Sequence, residues 1–400
     1  MNLRTRLSQL RPQNATNEAI KPTLAELRAR IERITAARPG ARKRMSETEL
    51  AQAVGGERID DCLIAIDRVL PLDALPPCPA NGEETRAAFE FFGYPCDPGE
   101  VVYLDTETTG LAGGTGTLAF VLGLARGSIS GIQLRQLMLT RVHGEQTMLA
   151  AARAFVQGAA VLVSYNGKGF DGPLLAARYR LAGRADPFAA IRHWDLLATT
   201  RRAFGGHWPD CRLRTAEERL LGFTRVNDLP GALVPQAWFN WLRRGNGAEL
   251  PRVIAHNHWD LVSLAALPRR LHRCYLDPIH HQSSLTAGAR HLLEQGQKQS
   301  AFDHLLRHQP HLGVDDALLL ARLAQQRGQW PLAISIWERL AGADTIEAIE
   351  KLAKYCEHRL RDWRRALAYT ERLQALEPSC AAHGLRARRL ARKRGESGRS

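Results

Sequence analysis

The stretch "VVYLDTETTGLAGGTGTLAF", Val101 to Phe120, decides how the chain is read. Its β-branched and apolar opening predicts a strand, and the glycines that follow invite comparison with a phosphate-binding loop. A Walker loop needs G-x-x-x-x-G-K-[ST], and no lysine stands in the glycine-rich run after Gly110. A dinucleotide fingerprint needs its glycines to open a helix, whereas "TLAFVLGLARG" reads as a second strand. The glycines therefore predict a turn between two antiparallel strands.

The turn leaves Asp105 and Glu107 to be explained. Residues two apart on a strand project from the same face, so both carboxylates point into one small volume. Two anions there repel unless a cation separates them, and Mg2+ or Mn2+, hard ions that prefer oxygen ligands, suit the pair. Solvated strand ends also carry such pairs, so the spacing alone leaves both readings open.

Working outward, "LAFVLGLARG", "IQLRQLML" and "AAVLVSYNG" are further strand-like runs, the last followed by helix-like "DGPLLAARYRLA". Strands in close succession, then strands alternating with helices, predict a mixed α/β sheet with helices on its faces between about Glu100 and Leu276. Asp171 in "VSYNGKGFDGPLL" stands where it could open a helix. Asp260 in "IAHNHWDLVSLAAL" heads an amphipathic segment, with His256 one turn earlier on the same face. Taken singly, each acid has an ordinary structural role, as a helix N-cap or a first-turn acid.

In this order, Asp105-x-Glu107, Asn166 to Asp171 in "NGKGFD", and His256-x-x-x-Asp260 resemble the three motifs of the ribonuclease H-like 3′–5′ exonucleases, which carry four acidic metal ligands. "LDTETTGLAGGTGTLAFVLG", "SYNGKGFDGPLL", "HWDLLATTRRAFG", "CRLRTAEERLLGFTRVNDLPGALVPQAW" and "HNHWDLVSLAAL" are similar to the YprB-type ribonuclease H-like group, over roughly residues 96–275 of the 400. The resemblance implies a nuclease in which Asp105, Glu107, Asp171 and Asp260 bind two divalent ions, Mg2+ or Mn2+, that act on a phosphodiester of DNA or RNA. The family has either a histidine one residue further before the last aspartate or a tyrosine at the shorter spacing; here His256 stands at the shorter one. Its imidazole is a candidate to orient or deprotonate water, beside the plainer reading of a helix-surface residue, and His258 competes with it.

Thr108, Asn166 and Lys168 are candidates for contact with the scissile strand, Asn166 having the alternative of holding its turn. Asp195 in "IRHWDLLATT" reads as a neighbour of the site or as a helix N-cap. Trp238, Phe239 and Trp241 beside Arg243 and Arg244 have the composition of a base-stacking surface, although aromatics at this spacing are more often core.

The flanks add a domain plan. Residues 1–95 read as a basic arm and linker, with a short amphipathic helix through Leu24, Leu27, Ile31 and Ile34 and the proline-rich "LPLDALPPCPANGEE" at its end. Residues 96–277 are the expected ribonuclease H-like domain. Residues 280–383 read as an all-α, tetratricopeptide-like domain, because Trp330, Ala333, Ile334 and Leu340 recur 33 residues later as Trp363, Ala366, Leu367 and Leu373. Residues 384–400, seven basic residues against one acidic, read as a disordered tail.

The formal net charge of +14 favours a polyanionic partner such as nucleic acid, and the helical repeats offer a surface for a protein partner. Seven dispersed cysteines without a C-x-x-C pair argue against both a disulfide framework and a zinc site. With no long apolar run, a cytoplasmic protein with no membrane attachment is expected. The composite expectation is a metal-dependent exonuclease; the alternative is a non-catalytic nucleic-acid-binding scaffold on the same fold.

Overall fold

A computed structural model describes residues 44–71, 82–110, 116–128 and 131–397. The helix expected around Leu24 to Ile34 and the middle of the proline-rich linker lie outside them.

The centre is a seven-stranded mixed sheet of β1 (Glu57–Arg58), β2 (Leu63–Leu70), β3 (Val101–Thr108), β4 (Ala119–Ser128), β5 (Gly131–Leu139), β6 (Val161–Ser164) and β7 (Arg192–Asp195), in the order β1-β2-β5-β4-β3-β6-β7. Pairing is antiparallel from β1 through β2, β5 and β4 to β3. Beyond β3 the sheet continues with β6 and β7 in parallel. The quoted stretch is the expected hairpin: Asp105 stands opposite Gly123 and Glu107 opposite Val121, with a register shift between Glu107 and Thr108. The Thr109 amide donates to the Leu118 carbonyl at 2.9 Å, and residues 111–115 of the turn lie outside the described residues.

The segment expected as an arm is part of this domain from Ser46 onward. Helix α1 (Glu47–Val54) opens on a reciprocal cap, in which the Glu49 amide donates to Ser46 Oγ at 3.2 Å and the Ser46 amide to Glu49 Oε2 at 2.7 Å. It closes at Gly55, whose φ of +69° suits glycine. Strand β2 then pairs with β5 along its whole length. The physical reason is burial: Leu63, Ile64, Ala65 and Ile66 are all interior, an apolar load that a loose arm could not hide. After the linker, α2 (Gly82–Phe91) brings Phe89 against Trp194, 5.1 Å between ring centroids, in the main core.

Five helices follow in the domain: α3 (Glu145–Phe155), α4 (Asp171–Leu181), α5 (Leu196–Phe204), α6 (Leu213–Ala216), which runs into a π-turn at Glu217–Leu221, and α7 (Val234–Arg244). The 27-residue α8 (Leu250–Leu276) follows and fixes the layers. Its Leu261, Leu264 and Ala265 share a core cluster with Val101 and Tyr103 of β3, Ala125 of β4 and Val161 and Val163 of β6. Strand alternation puts Asp105 and Glu107 on the face of β3 that carries Val101 and Tyr103, beneath α8.

The chain then becomes helical: α9 (Leu285–Glu294), α10 (Lys298–Arg307), α11 (Val314–Gln326), α12 (Trp330–Gly342), α13 (Ile346–Tyr355), α14 (Trp363–Leu376) and α15 (Ala381–Ser397). Successive pairs repeat a local geometry. Gly296, Gly328 and Arg361 all have left-handed backbone, with φ of +73°, +74° and +54°, and five residues further on Ala301, Ala333 and Ala366 are each fully buried. The final segment is helix through Ser397 where a disordered tail was expected from 384. Arg386 and Arg389 reach the buried Glu357 at 3.0 and 2.6 Å, and Leu390 is interior, so charge pairing and an apolar anchor hold a stretch that composition alone leaves loose.

If β2 belongs to the core, removing its buried methyl groups must cost what core truncations cost. Ile66→Ala is expected to lower unfolding free energy by about 2–5 kcal/mol in denaturant titration, whereas a change within about 0.5 kcal/mol would mean the strand packs loosely.

Candidate metal centre

Three elements bring the four predicted acids together. Asp105 and Glu107 come from β3, Asp171 is the first residue of α4, and Asp260 lies on α8 one turn after His256. Glu107 and Asp260 are 9% and 8% exposed, so their mutual repulsion is poorly screened by water. Burial pushes the Asp105 carboxyl well above the usual range, and Asp260, Glu107 and Asp171 push it further. Glu107 is raised by burial, Asp260 and Asp171, with Arg225 pulling the other way. Asp171 is pushed up to about 6, again chiefly by burial and against the Thr106 hydroxyl that donates to it.

Neutral side chains hold the anions in place. Asn257 donates from Nδ2 to Asp105 Oδ2 at 2.7 Å, while its own Oδ1 accepts from Gln136 Nε2 at 2.8 Å. The same Gln136 nitrogen reaches the Ile254 carbonyl at 2.8 Å, so the network ties β5 to α8. Gly123, opposite Asp105, makes room for it: a Cβ there would stand 2.2 Å from Asn257 Oδ1. Gly167 is similarly required, since a Cβ would fall 2.3 Å from Ser164 Oγ.

His256 belongs to the cluster, and the loop before α7 orients it. Its Nδ1 lies 2.7 Å from Asp228 Oδ1, and its Nε2 lies 3.6 Å from Asp260 Oδ2. A carboxylate can only accept, so the network places a ring proton on Nδ1 and turns Nε2 toward Asp260. Beside it, Arg225 donates to Asp260 and, through Nε at 3.0 Å and a terminal nitrogen at 2.5 Å, to Glu217. Ser263 Oγ adds a bond to Glu217 at 2.6 Å. Burial works against the Arg225 charge, but Asp260 and Glu217 outweigh it and hold the guanidinium cationic. His258 is different: burial, with Arg68 nearby, pushes its pKa down to about 4.

The remaining candidates sort by backbone and burial. Asp195 caps α5 through the Leu197 amide at 3.0 Å and also accepts from the Asn166 and Lys168 amides at 2.7 and 3.1 Å. It thus clamps the turn before Asp171, in which Asn166 adopts a φ of +67°. Lys168 keeps an exposed side chain on that turn, and Thr108 donates to the Gly110 carbonyl at 3.0 Å. Trp238 and Trp241 are core rather than a stacking surface: both are buried and donate to the Leu139 and Thr140 carbonyls at 2.7 and 2.9 Å. Phe239, beside them, is half-buried with the Arg243 guanidinium 5.0 Å from its ring centre.

The donor set fits a hard divalent cation. Glu107, His256 and Asp260 each offer an atom within 4.8 Å of the others, and Asp105 and Asp171 add carboxylates, each raised by Asp260. The carboxylate oxygens suit Mg2+ or Mn2+, whose charge would relieve the repulsion.

A family profile described as RNase_H superfamily matches residues 102–272. The chain is 30% identical over 282 residues to the uncharacterised protein YprB of Bacillus subtilis (strain 168), covering 67% of this chain and 68% of that protein. The chain belongs to the ribonuclease H superfamily. Among solved structures, the family B DNA polymerase of the hyperthermophilic archaeon Pyrobaculum calidifontis aligns at 14% identity and a TM-score of 0.36, over 70% of this chain and 35% of the polymerase. The chain spans about a third of that polymerase's length. Membership of the superfamily supports a nuclease-type function. No helix among the described residues is long and apolar enough to cross a membrane.

Sequence reasoning missed Asn257, Gln136, Arg225, Asp228 and Glu217. Asn257 lies inside the "HNHWD" motif, and the three charged residues lie inside "TAEERLLGFTRVNDLPG", so their positions were visible but their partners were not.

The raised carboxyl groups set a pH dependence. A folded-state pKa above the unfolded value means the folded chain binds that proton more tightly, so stability is lost as pH rises through the folded pKa, about 6 for Asp171 and also raised for Asp105 and Glu107. In chelator-treated protein at pH 7, Asp105→Asn should therefore raise Tm, by on the order of 1 kcal/mol or more of stability, and the gain should shrink on acidification toward about pH 5. A lower Tm for the variant at pH 7 would count against confined repulsion.

Proposed function

We propose that this ribonuclease H superfamily protein is a divalent-metal-dependent exonuclease that hydrolyses phosphodiester bonds of DNA or RNA. The observation that carries the reading is the convergence of Asp105, Glu107, Asp171 and Asp260 with His256 around one buried volume. The order of the three motifs, which resembles the 3′–5′ exonucleases, supports action from a strand end. The net charge of +14 supports recruitment of a phosphate backbone.

Asp105, Glu107, Asp171 and Asp260 are the residues that would hold two ions. When bound, such ions supply positive charge beside an anionic phosphodiester and make water more acidic. The chain's own groups do the rest. His256, with Nδ1–H committed to Asp228, offers Nε2 as acceptor for the proton of the attacking water. The water oxygen bonds to phosphorus, the P–O3′ bond breaks, and the leaving oxygen takes a proton from solvent. Asn257 keeps Asp105 oriented throughout, and the exposed Lys168, three residues before Asp171, is suited to a phosphate of the bound strand.

A second reading, a nucleic-acid-binding scaffold without catalysis, is favoured by the Arg225–Asp260 contact, which gives one of the four acids a protein counter-charge. End-labelled single- and double-stranded DNA and RNA, with Mg2+ or Mn2+ and with chelator, separate the two. The nuclease reading expects a ladder of products from one end with metal only, reduced about 100-fold or more by Asp105→Asn or Asp260→Asn. Equal cleavage by wild type and both variants would sink it; salt-sensitive binding without cleavage would favour the scaffold.

Asp228 is proposed to act through His256. Asp228→Asn should lower kcat by about 10–100-fold with little change in KM and displace the acidic limb of the pH–rate profile, as the imidazole loses its fixed tautomer. An unchanged profile would remove His256 from proton transfer.

A further inference from the structure

A second set of metal-ligating side chains stands far along the chain from the carboxylate centre, where α14 gives way to α15. Glu377, Cys380 and His383 each offer a donor atom within 4.8 Å of the other two. His383 Nε2 lies 2.9 Å from Glu377 Oε2. The backbone explains the convergence: the Cys380 amide donates to the Glu377 carbonyl at 3.0 Å and the His383 amide to the Cys380 carbonyl at 3.1 Å, so residues three apart fall on one side of a continuous turn. Cys380 is a free, half-buried thiol, and the Glu377 and His383 side chains are 41% and 13% exposed, which leaves a path for an ion.

We propose that Glu377, Cys380 and His383 form a zinc site that fastens the first turn of α15 to the end of α14. Sulfur, nitrogen and oxygen together suit Zn2+, whereas Mg2+ and Mn2+ prefer oxygen. Zinc bonds of about 2.0–2.3 Å place neighbouring tetrahedral ligands about 3.3–3.8 Å apart. The Glu377–His383 pair must open and Cys380 approach, each by about 1 Å or less, within reach of side-chain rotation. Binding releases the thiol proton to solvent and moves the imidazole hydrogen to Nδ1; three protein ligands leave the fourth position to water. The rest of α15 is already held through Arg386, Arg389 and Leu390, so the ion would complete the attachment at its N-terminal end.

Co2+ titration of the full-length protein tests this. The expected result is a saturable near-ultraviolet thiolate-to-cobalt charge-transfer band that is displaced by Zn2+. Cys380→Ser should abolish the band, and His383→Ala and Glu377→Gln should each weaken binding by about tenfold or more, with far-ultraviolet circular dichroism confirming that every variant is folded. Asp105→Asn should leave the band intact, since the carboxylate centre has no thiolate. A band that persists in Cys380→Ser, or none in wild type with excess Co2+, would overturn the proposal.

Discussion

Confinement of like charges beneath α8 is the constraint on which the rest of the molecule depends. Asp105 and Glu107 share one face of β3 with Val101 and Tyr103, so the pleat that builds the core also drives two carboxylates toward it. Asp260 and Asp171 enter the same volume from the two helices α8 and α4. Burial and repulsion raise Asp105, Glu107 and Asp171 together, which makes the cluster a stored cost to folding in the absence of added positive charge. Large local costs of this kind are characteristic of binding and catalytic centres rather than of structural cores.

What meets the cost is the length and placement of α8. Its C-terminal half is embedded among Leu261, Leu264, Ala265 and Leu271 in the main core, which anchors the helix against the sheet. That anchoring lets the N-terminal half present polar groups in three directions from adjacent positions: His256 toward Asp228, Asn257 toward Asp105, and Asp260 toward Arg225. The approach is close because Gly123 has no side chain beneath Asn257. A single methyl group there would push away the amide that holds Asp105, so the glycine in "VLGLA" is as much a part of the centre as the acids.

Much of this was legible in the sequence. The β-branched, apolar opening at Val101 and the glycine-rich run predicted the hairpin, and the resemblance carried by three spaced acidic motifs implied the convergence of four carboxylates. The arm and tail were misread for a common reason, since both are elements stabilised by partners distant in sequence. "LIAIDRVL" is an ordinary apolar run until β5 pairs with it, and "LRARRLARKR" looks solvated until Glu357 is placed beneath it. The cap signal "SETE" before α1, by contrast, was local and could have been used. The supporting amides were not readable, because Asn and Gln carry no charge pattern and their roles depend on which strand and helix meet.

Arg225 shows how the protein balances this centre without neutralising it. Its guanidinium is 6% exposed and faces Glu217, itself 1% exposed, as well as Asp260 and, at 3.7 Å, Asp228. Removing one partner from such a pair typically costs about 3–5 kcal/mol, so the arginine is locked to Glu217 by two bonds and by the absence of any cheaper arrangement. Its remaining share of charge goes to Asp260 and cannot also satisfy Asp105, Glu107 and Asp171. One cation among this many acids leaves the volume anionic, and because Glu217 holds the arginine, a divalent ion could share Asp260 without expelling it. The same bonds fix the loop that carries Asp228, so the residue that steadies His256 is positioned by the charge balance of the centre it serves.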